Sequence, residues 1–198
     1  MIVWINGTFG VGKTQTAYEL RRRIGQGWIA DPELVGYGLH RMQPRCMRGD
    51  FQDQPAWRIG VRDVLRRLDT ERSVQPVIAP MTLVVDAYAD EILGSLRADG
   101  HDVRHVSLMA SPDTVRRRLR SRGSAVRDLW AEKQIERCTT ALAGPRFAHH
   151  VQTDDRSIDE VVEDVVHTLD LPLRRPRDRR EVAFLRRRLV RLRHIRPL

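Results

Sequence analysis

No apolar run in this chain approaches the roughly 20 residues that cross a bilayer. The N-terminus shows neither a basic n-region nor a long apolar h-region. Neither a spanning anchor nor a secretory signal is therefore expected. Cysteine is nearly absent. Cys46 and Cys138 stand far apart with no metal-ligand spacing, which argues against a zinc site and fits two buried thiols in a reducing cytosol. Internal repeats are missing. Lysine is the scarcest charged residue: of 35 basic side chains, all but Lys13 and Lys133 are arginine.

What is present suits one soluble domain. The chain has 198 residues, 41% hydrophobic and 31% charged, enough to bury a core. The net charge of +9 is unevenly placed. From Arg174 to Leu198 there are 11 arginines against Asp178 and Glu181, which leaves 24 basic and 24 acidic side chains in residues 1–173. A neutral body argues against a broad nucleic-acid-binding face, and no nucleic-acid partner is expected. The Pro172–Pro176 stretch reads as a linker between a body, 1–173, and a basic amphipathic tail, 174–198.

Along the body, short apolar runs alternate with amphipathic stretches. Strands are expected at Ile2–Asn6, Trp28–Asp31, Pro76–Ala79, Val103–Met109 and His150–Thr153. Helices are expected at Lys13–Ile24, after Pro32, over Asp50–Arg72, from an Asp86 N-cap to Gly100, from Ser111 to Gly123, over Leu129–Leu142, and from a Ser157 cap to Leu169. Such alternation implies an α/β fold, a five-stranded parallel sheet flanked by helices.

Between the first strand and first helix lies Asn-Gly-Thr-Phe-Gly-Val-Gly-Lys-Thr, residues 6–14. Gly7-x-x-x-x-Gly12-Lys13-Thr14 matches the P-loop pattern in its proper strand–loop–helix setting. Gly7, Gly10 and Gly12 let backbone amides converge on phosphate, and the helix N-terminus adds its dipole. Lysine is a compact ammonium able to follow the β- and γ-phosphates, whereas a guanidinium is planar and prefers fork geometry. That requirement accounts for a lysine in so arginine-rich a chain. Thr14 is the expected Mg²⁺ ligand, Gln15 a further nucleotide contact, and ATP with Mg²⁺ the expected cofactors.

Other residues admit two readings each. Arg118 and Arg122 lie one turn apart in Arg118-Leu-Arg-Ser-Arg122. They form either the start of a nucleotide lid, as such runs do in small P-loop kinases, or a solvated charged face. Lys133 and Arg137 either close over the nucleotide or pair with nearby acids. Asp31, at a strand's carboxyl end where open α/β sheets bind ligands, is a candidate base for an acceptor hydroxyl, an N-cap, or both. Glu33 is a substrate contact or a partner of the helix dipole. Phe51, Asp53 and Trp57, within Asp50–Trp57, are either acceptor-pocket groups or a helix start with core aromatics. Asp86 reads as an N-cap rather than a second Mg²⁺ carboxylate, and His149-His150 as a strand edge.

Several segments together resemble the tunicamycin-resistance ATP-binding protein family. They are Ile5–Thr16, Asp31-Pro-Glu-x-Val-Gly36, Asp50-Phe-Gln-Asp53, Pro80-Met-Thr82, Leu108-Met-Ala-Ser111, Arg118-Leu-Arg-x-Arg-Gly123, Trp130-Ala-x-Lys-Gln-Ile135 and His194-Ile-Arg196. The resemblance implies a P-loop NTPase fold of the nucleoside- and shikimate-kinase kind, ATP binding, and resistance to a nucleoside antibiotic. Three functions remain open: phosphoryl transfer to a hydroxyl of a tunicamycin-like small molecule, ATP-dependent sequestration of the drug without chemistry, and a metabolic small-molecule kinase. A cytoplasmic location is expected. In the tail, Val182, Leu185, Leu189 and Leu192 recur at helical spacing beside many arginines. That stripe either meets an anionic membrane surface, at the inner face of the cell membrane, or packs on the body.

Overall fold

The structure, a computed structural model, describes the backbone of residues 1–121 and 125–193 and the side chains of 1–121 and 133–190. Arg122, Gly123 and the His194–Arg196 segment lie outside the described residues. Five strands, β1 (Ile2–Gly7), β2 (Trp28–Ile29), β3 (Val77–Pro80), β4 (Val103–Met109) and β5 (His150–Gln152), form one parallel sheet in the order β2-β3-β1-β4-β5. β1 is central and buried along its whole length. It is flanked by β3 (Ile2 opposite Val77) and by β4 (Ile2 opposite Val103). A strand covered on both faces must be apolar throughout, which is why Ile-Val-Trp-Ile shows no alternation.

Successive β1 side chains feed two core layers. Val3 and Ile5 pack with α1 (Lys13–Ile24) and α8 (Ile158–Thr168). Ile2 and Trp4 pack with α3 (Pro55–Thr70) on the opposite face. Between these run α2 (Glu33–Met42), α4 (Asp86–Ala89), a π-helical turn Asp90–Gly94, α5 (Ser95–Ala98), α6 (Pro112–Arg120) and α7 (Ala125–Leu142). Chemistry at the ends explains the boundaries. Gly25, left-handed, donates its amide to the carbonyls of Arg21 and Arg22 and stops α1. Ser111 accepts from the Thr114 amide to open α6, and Ser157 with Glu160 forms a full capping box on α8.

Some expected boundaries move. Asp86 is not the N-cap: Val85 holds that position, and Asp86 lies in the first turn, where its charge suits the helix dipole. The helix expected over Asp50–Arg72 begins as a separate 3₁₀ turn, Phe51–Asp53, because Pro55 fixes α3's own first turn. β2 is shorter than expected, as befits an edge strand, although the Ala30 amide still donates to the Ile78 carbonyl (2.9 Å).

The tail is stitched to the body. The amides of Arg174 and Arg175 both donate to the Arg23 carbonyl (2.9 and 3.0 Å), which extends the α1 C-cap. Arg22 pairs with Asp178 (3.1 Å), Arg23 with Glu163 (3.1 Å), and Arg177 with Glu163 (2.8 Å). Hydrogen bonds from Arg177, with Arg23 behind it, hold the Glu163 carboxyl down at about 2 despite partial burial. The last helix, α9 (Arg180–Arg193), lies on α1 through Ala183 and Val190, and Arg187 pairs with Asp159 (2.8 Å). The stripe Val182, Leu185 and Leu189 faces away from the body.

His105 on β4 is buried, and its Nε2 receives a hydrogen bond from Asn6 Nδ2 (3.2 Å). Burial, reinforced by Arg97, lowers its pKa to about 4, so the ring is neutral in the fold. The unfolded chain binds a proton near 6.5 that the fold refuses until about 4. Stability is therefore full above 6.5 and lost as pH falls through that window. Urea unfolding at pH 5 should give a stability about 2 kcal/mol below that at pH 7.5. His105→Gln should remove most of this difference; an unchanged difference would assign the proton elsewhere.

Candidate functional site

At the carboxyl end of β1 the chain makes a turn only glycine can make. Gly7 has φ 146°, and a Cβ there would come 2.6 Å from Val11 Cγ1 and 2.9 Å from the Leu108 carbonyl oxygen. Gly12, φ 112°, is the N-cap of α1. Within this turn Lys13 Nζ donates to the Gly7 carbonyl (2.9 Å), the Thr8 carbonyl (2.9 Å) and Thr82 Oγ1 (2.8 Å). Three acceptors converging on one nitrogen suit an ammonium with its three donors; a planar guanidinium does not reproduce that geometry.

The loop is fixed to its neighbours by residues that sequence reading gave no site role. Thr82, just past β3, donates to the Gly7 carbonyl (2.8 Å) while accepting from Lys13. Asn6 bridges outward. Its Oδ1 accepts from the Gly7 amide (2.8 Å) and the Leu83 amide (2.9 Å), and its Nδ2 donates to the Leu83 carbonyl (2.7 Å). Buried Asn and Thr at the ends of adjacent strands were the available signal.

Beside the loop is a small cavity, about 20 Å³, whose wall includes Phe9, Asp50, Asp53, Thr82, Tyr88 and Arg137. Asp50 is raised above the ordinary carboxylate range by burial, against the opposing hydrogen bond from the Gln52 amide. Tyr88 donates to Asp53 Oδ1 (2.8 Å). Cys138 closes the wall, its thiol pushed up by burial, whereas Cys46, expected to be buried as well, is exposed just after α2. The cavity thus joins a phosphate-type loop to carboxylates and a phenol, a set suited to hydroxyl groups.

The other expected site residues divide. Gly10, φ 85°, lies in the loop, and a Cβ there would come 3.0 Å from Leu119 Cγ. Thr14, partly exposed, stands in the first turn of α1. Gln15 turns away: its Nε2 donates to the Arg187 carbonyl on α9 (3.1 Å). Arg118 does reach the loop. It donates to the Val11 carbonyl (3.1 Å), Thr153 Oγ1 (2.9 Å) and the Thr153 carbonyl (2.6 Å), tying the loop to the end of β5. Lys133 is exposed on α7, and Arg137, rather than Lys133, lines the cavity.

On the acceptor side, Asp31 Oδ1 accepts from the Glu33 amide (3.0 Å). Asp31 follows β2, and β3 stands between that strand and β1. Tyr37 donates to Glu33 (3.2 Å) within α2. Phe51 and Trp57 act as core aromatics. Phe51 lies on Gly36, where a Cβ would meet its ring at 2.5 Å, and the buried Trp57 donates Nε1 to the Pro32 carbonyl (2.9 Å). No group of three or more His, Cys, Asp or Glu poised to hold a metal occurs among the described residues.

A parallel sheet in the order 2-3-1-4-5, with a glycine loop and lysine leaving its central strand, has a P-loop small-molecule-kinase-like fold. No protein-family model matches the chain, and no curated protein matches it. Solved structures do. The chain is similar to the tunicamycin resistance protein of Deinococcus radiodurans, with 27% identity and a TM-score of 0.72 over 88% of this chain and 99% of that one. This bears out the resemblance expected from the sequence. Two kinases share the fold at lower identity. Shikimate kinase from Bacteroides thetaiotaomicron is 18% identical, TM-score 0.56, over 86% of this chain and 99% of that one. The APS kinase of Mycobacterium tuberculosis, solved with AMPPNP and APS, is 18% identical, TM-score 0.55, over 85% and 96%.

Lys13→Ala should weaken nucleotide binding roughly 10- to 100-fold, the scale of hydrogen bonds to charged groups, and leave the melting temperature within a few degrees. Lys13→Arg should do nearly as badly. Calorimetric titration of each variant with ATP checks both, and wild-type affinity in the arginine variant would contradict the three-acceptor account.

Proposed function

We propose that the protein is an ATP-dependent phosphotransferase acting on a hydroxyl of a nucleoside-type antibiotic such as tunicamycin. The observation that carries this reading is the shared wall: Thr82 holds the Lys13 ammonium and also lines the carboxylate cavity. The left-handed backbone at Gly7, Gly10 and Gly12 is a cradle any Cβ would fill or strain, and it fits a chain of phosphates. Bound ATP with Mg²⁺ would supply the activated phosphoryl group, Thr14 being the protein's ligand to the metal. Similarity to the tunicamycin resistance protein supports the drug class.

This chain's own residues then have separable tasks. Lys13 gives up carbonyl partners for phosphate oxygens and keeps its charge where negative charge gathers. Arg118 holds the loop against β5 and adds a second positive charge at the loop's far side. Asp50, its pKa raised by burial, receives the proton of the acceptor hydroxyl. Asp31, at the end of β2, orients the acceptor, and the Tyr88–Asp53 pair recognises a neighbouring hydroxyl.

Incubation with Mg-ATP and tunicamycin should yield a product heavier by one phosphoryl group in mass spectra. ATP-dependent drug binding without that product would replace catalysis by sequestration. Asp50→Asn should lower turnover about 100-fold or more with ATP affinity kept, whereas Asp31→Asn should chiefly raise KM for the drug. The opposite split would return the base to Asp31.

A further inference from the structure

At the amino end of the sheet, away from the glycine turn, one edge is incomplete. β4 starts at Val103, but β5 joins it only from Ser107, which stands opposite His150. The notch opens as a pocket of about 570 Å³, far larger than the cavity beside the loop. That volume suits a small molecule. Val103, Ala148 and Leu169 give the pocket apolar walls. Val103 stands opposite Ile2 and Leu108 opposite Gly7, so most of the length of β4 separates pocket from loop, roughly 16 Å.

The polar lining is mostly cationic. Arg97 from α5, Arg104 from β4, Arg146 from the turn Pro145–Phe147 and His149 before β5 line the pocket, against one acid, Asp170. These groups differ in how far the fold engages them. Arg104 pairs with Asp102 (3.1 Å) and donates to the carbonyls of Leu169 (2.6 Å) and Asp170 (3.1 Å), so it frames the wall. Arg146 pairs with Asp90 and, at 3.9 Å, with Asp86; both carboxylates are well exposed, and such pairs hold weakly. Arg97 meets no carboxylate among the described residues. Its Nε and Nη2 both donate to one oxygen, the Val103 carbonyl (3.3 and 3.2 Å), which engages two of five donors. Besides burial, the charges of Arg97, His149 and His150 all oppose protonation of His105 in the same lining, so the local field is positive. Backbone strain falls here too. His149 (φ 64°) and Asp170 (φ 48°) are two of the three left-handed non-glycine residues among those described, and both line the pocket.

We propose that this pocket is a second ligand site, taking a small phosphorylated molecule. The phosphoryl group meets Arg97, Arg146 and His149, and the carbon skeleton lies against Val103, Ala148 and Leu169. A phosphoryl dianion accepts several hydrogen bonds at once, as two guanidinium forks and an imidazole require. An uncharged apolar ligand would leave the Arg97 charge unanswered, and bare phosphate would leave the apolar walls in water. An added peptide strand fits less well. Val103 shares the orientation of Ser107, whose amide meets the His149 carbonyl (3.1 Å), so the carbonyl that Arg97 takes lies on the open edge. Arg97 thus caps the edge that a strand would need. The site stands apart from the loop and depends on no reaction there.

Full-length protein is titrated with phenyl phosphate and, separately, with inorganic phosphate, and binding is read from the ring signals of His149 by NMR. Phenyl phosphate should shift those signals saturably, at about millimolar concentration or below, and severalfold more tightly than inorganic phosphate. Arg97→Gln should weaken binding about tenfold or more, and Arg146→Gln severalfold. Both residues are exposed, so melting temperatures should stay within a few degrees of wild type. Lys13→Ala should leave the His149 titration unchanged, because the loop is a separate site. The proposal is overturned if His149 does not respond up to about 10 mM phenyl phosphate, or if Arg97→Gln binds as wild type. Loss of the His149 response in Lys13→Ala would also overturn it and assign the probe to the loop. Equal affinity for the two probes would overturn the ligand class.

Discussion

A single ammonium group sits where three parts of the chain meet: the end of β1, the glycine turn, and the segment after β3. Parallel strands bring their carboxyl ends to one edge, and at that edge backbone carbonyls emerge with no ladder partners. Lys13 neutralises this cluster of oxygens, and Thr82 and Asn6 fasten the neighbouring strand ends to it. Were the turn at Gly7 to open, the cavity wall at Thr82 and the anchor of Arg118 at Val11 would be displaced with it. The loop is therefore part of the sheet's edge rather than a flap above it, and a site of this kind is preformed for anions.

The helix that carries the loop is held along two sides. Toward the sheet, Ala17, Leu20 and Ile24 join the larger core layer. Away from it, Glu19, Arg22 and Arg23 enter an ionic network with Asp159, Glu163, Arg177 and Asp178. Several of these charges are well buried, and buried charges are tolerable only when mutually paired. The network thus involves the tail: among the described residues, tail arginines pair with carboxylates on α8 and on the tail itself, while α1 contributes Arg22 and Arg23 to Asp178 and Glu163. This mutual dependence explains how a segment with such an excess of positive charge can lie flat on its own domain.

Much of this was readable in the residues. Gly12 and Gly25 punctuate α1 on both sides, and its limits, Lys13 and Ile24, follow from them. Ser157 with Glu160 announces α8, and the stretch from Val103 to Met109 gives β4 in full. The site was less legible. Thr82 and Asn6 act through strand adjacency, and the order β3-β1-β4 is not written in any local pattern. Gln15 turns toward a residue 172 positions away. Phe51 and Trp57 kept two readings because flat aromatics suit either a ligand or a core, and the packing of Phe51 on Gly36 and the full burial of Trp57 decide for the core. The tail left its two readings open for a related reason: α9 is apolar at Ala183 and Val190 as well as at Val182, Leu185 and Leu189, so spacing alone cannot say which stripe is covered.

The scarcity of lysine has a further use. Acylating reagents that scatter over the surface of an ordinary protein meet only three amines in this chain: the N-terminus, Lys13 and Lys133. The first is tied to Asp69, the third stands exposed on α7, and the second is held by three oxygens in the glycine turn. Modification at residue 13 relative to residue 133 therefore reports how tightly that turn grips its ammonium, with an internal reference on the same molecule. The scarcity of lysine leaves the chain a native reporter group in its own glycine turn.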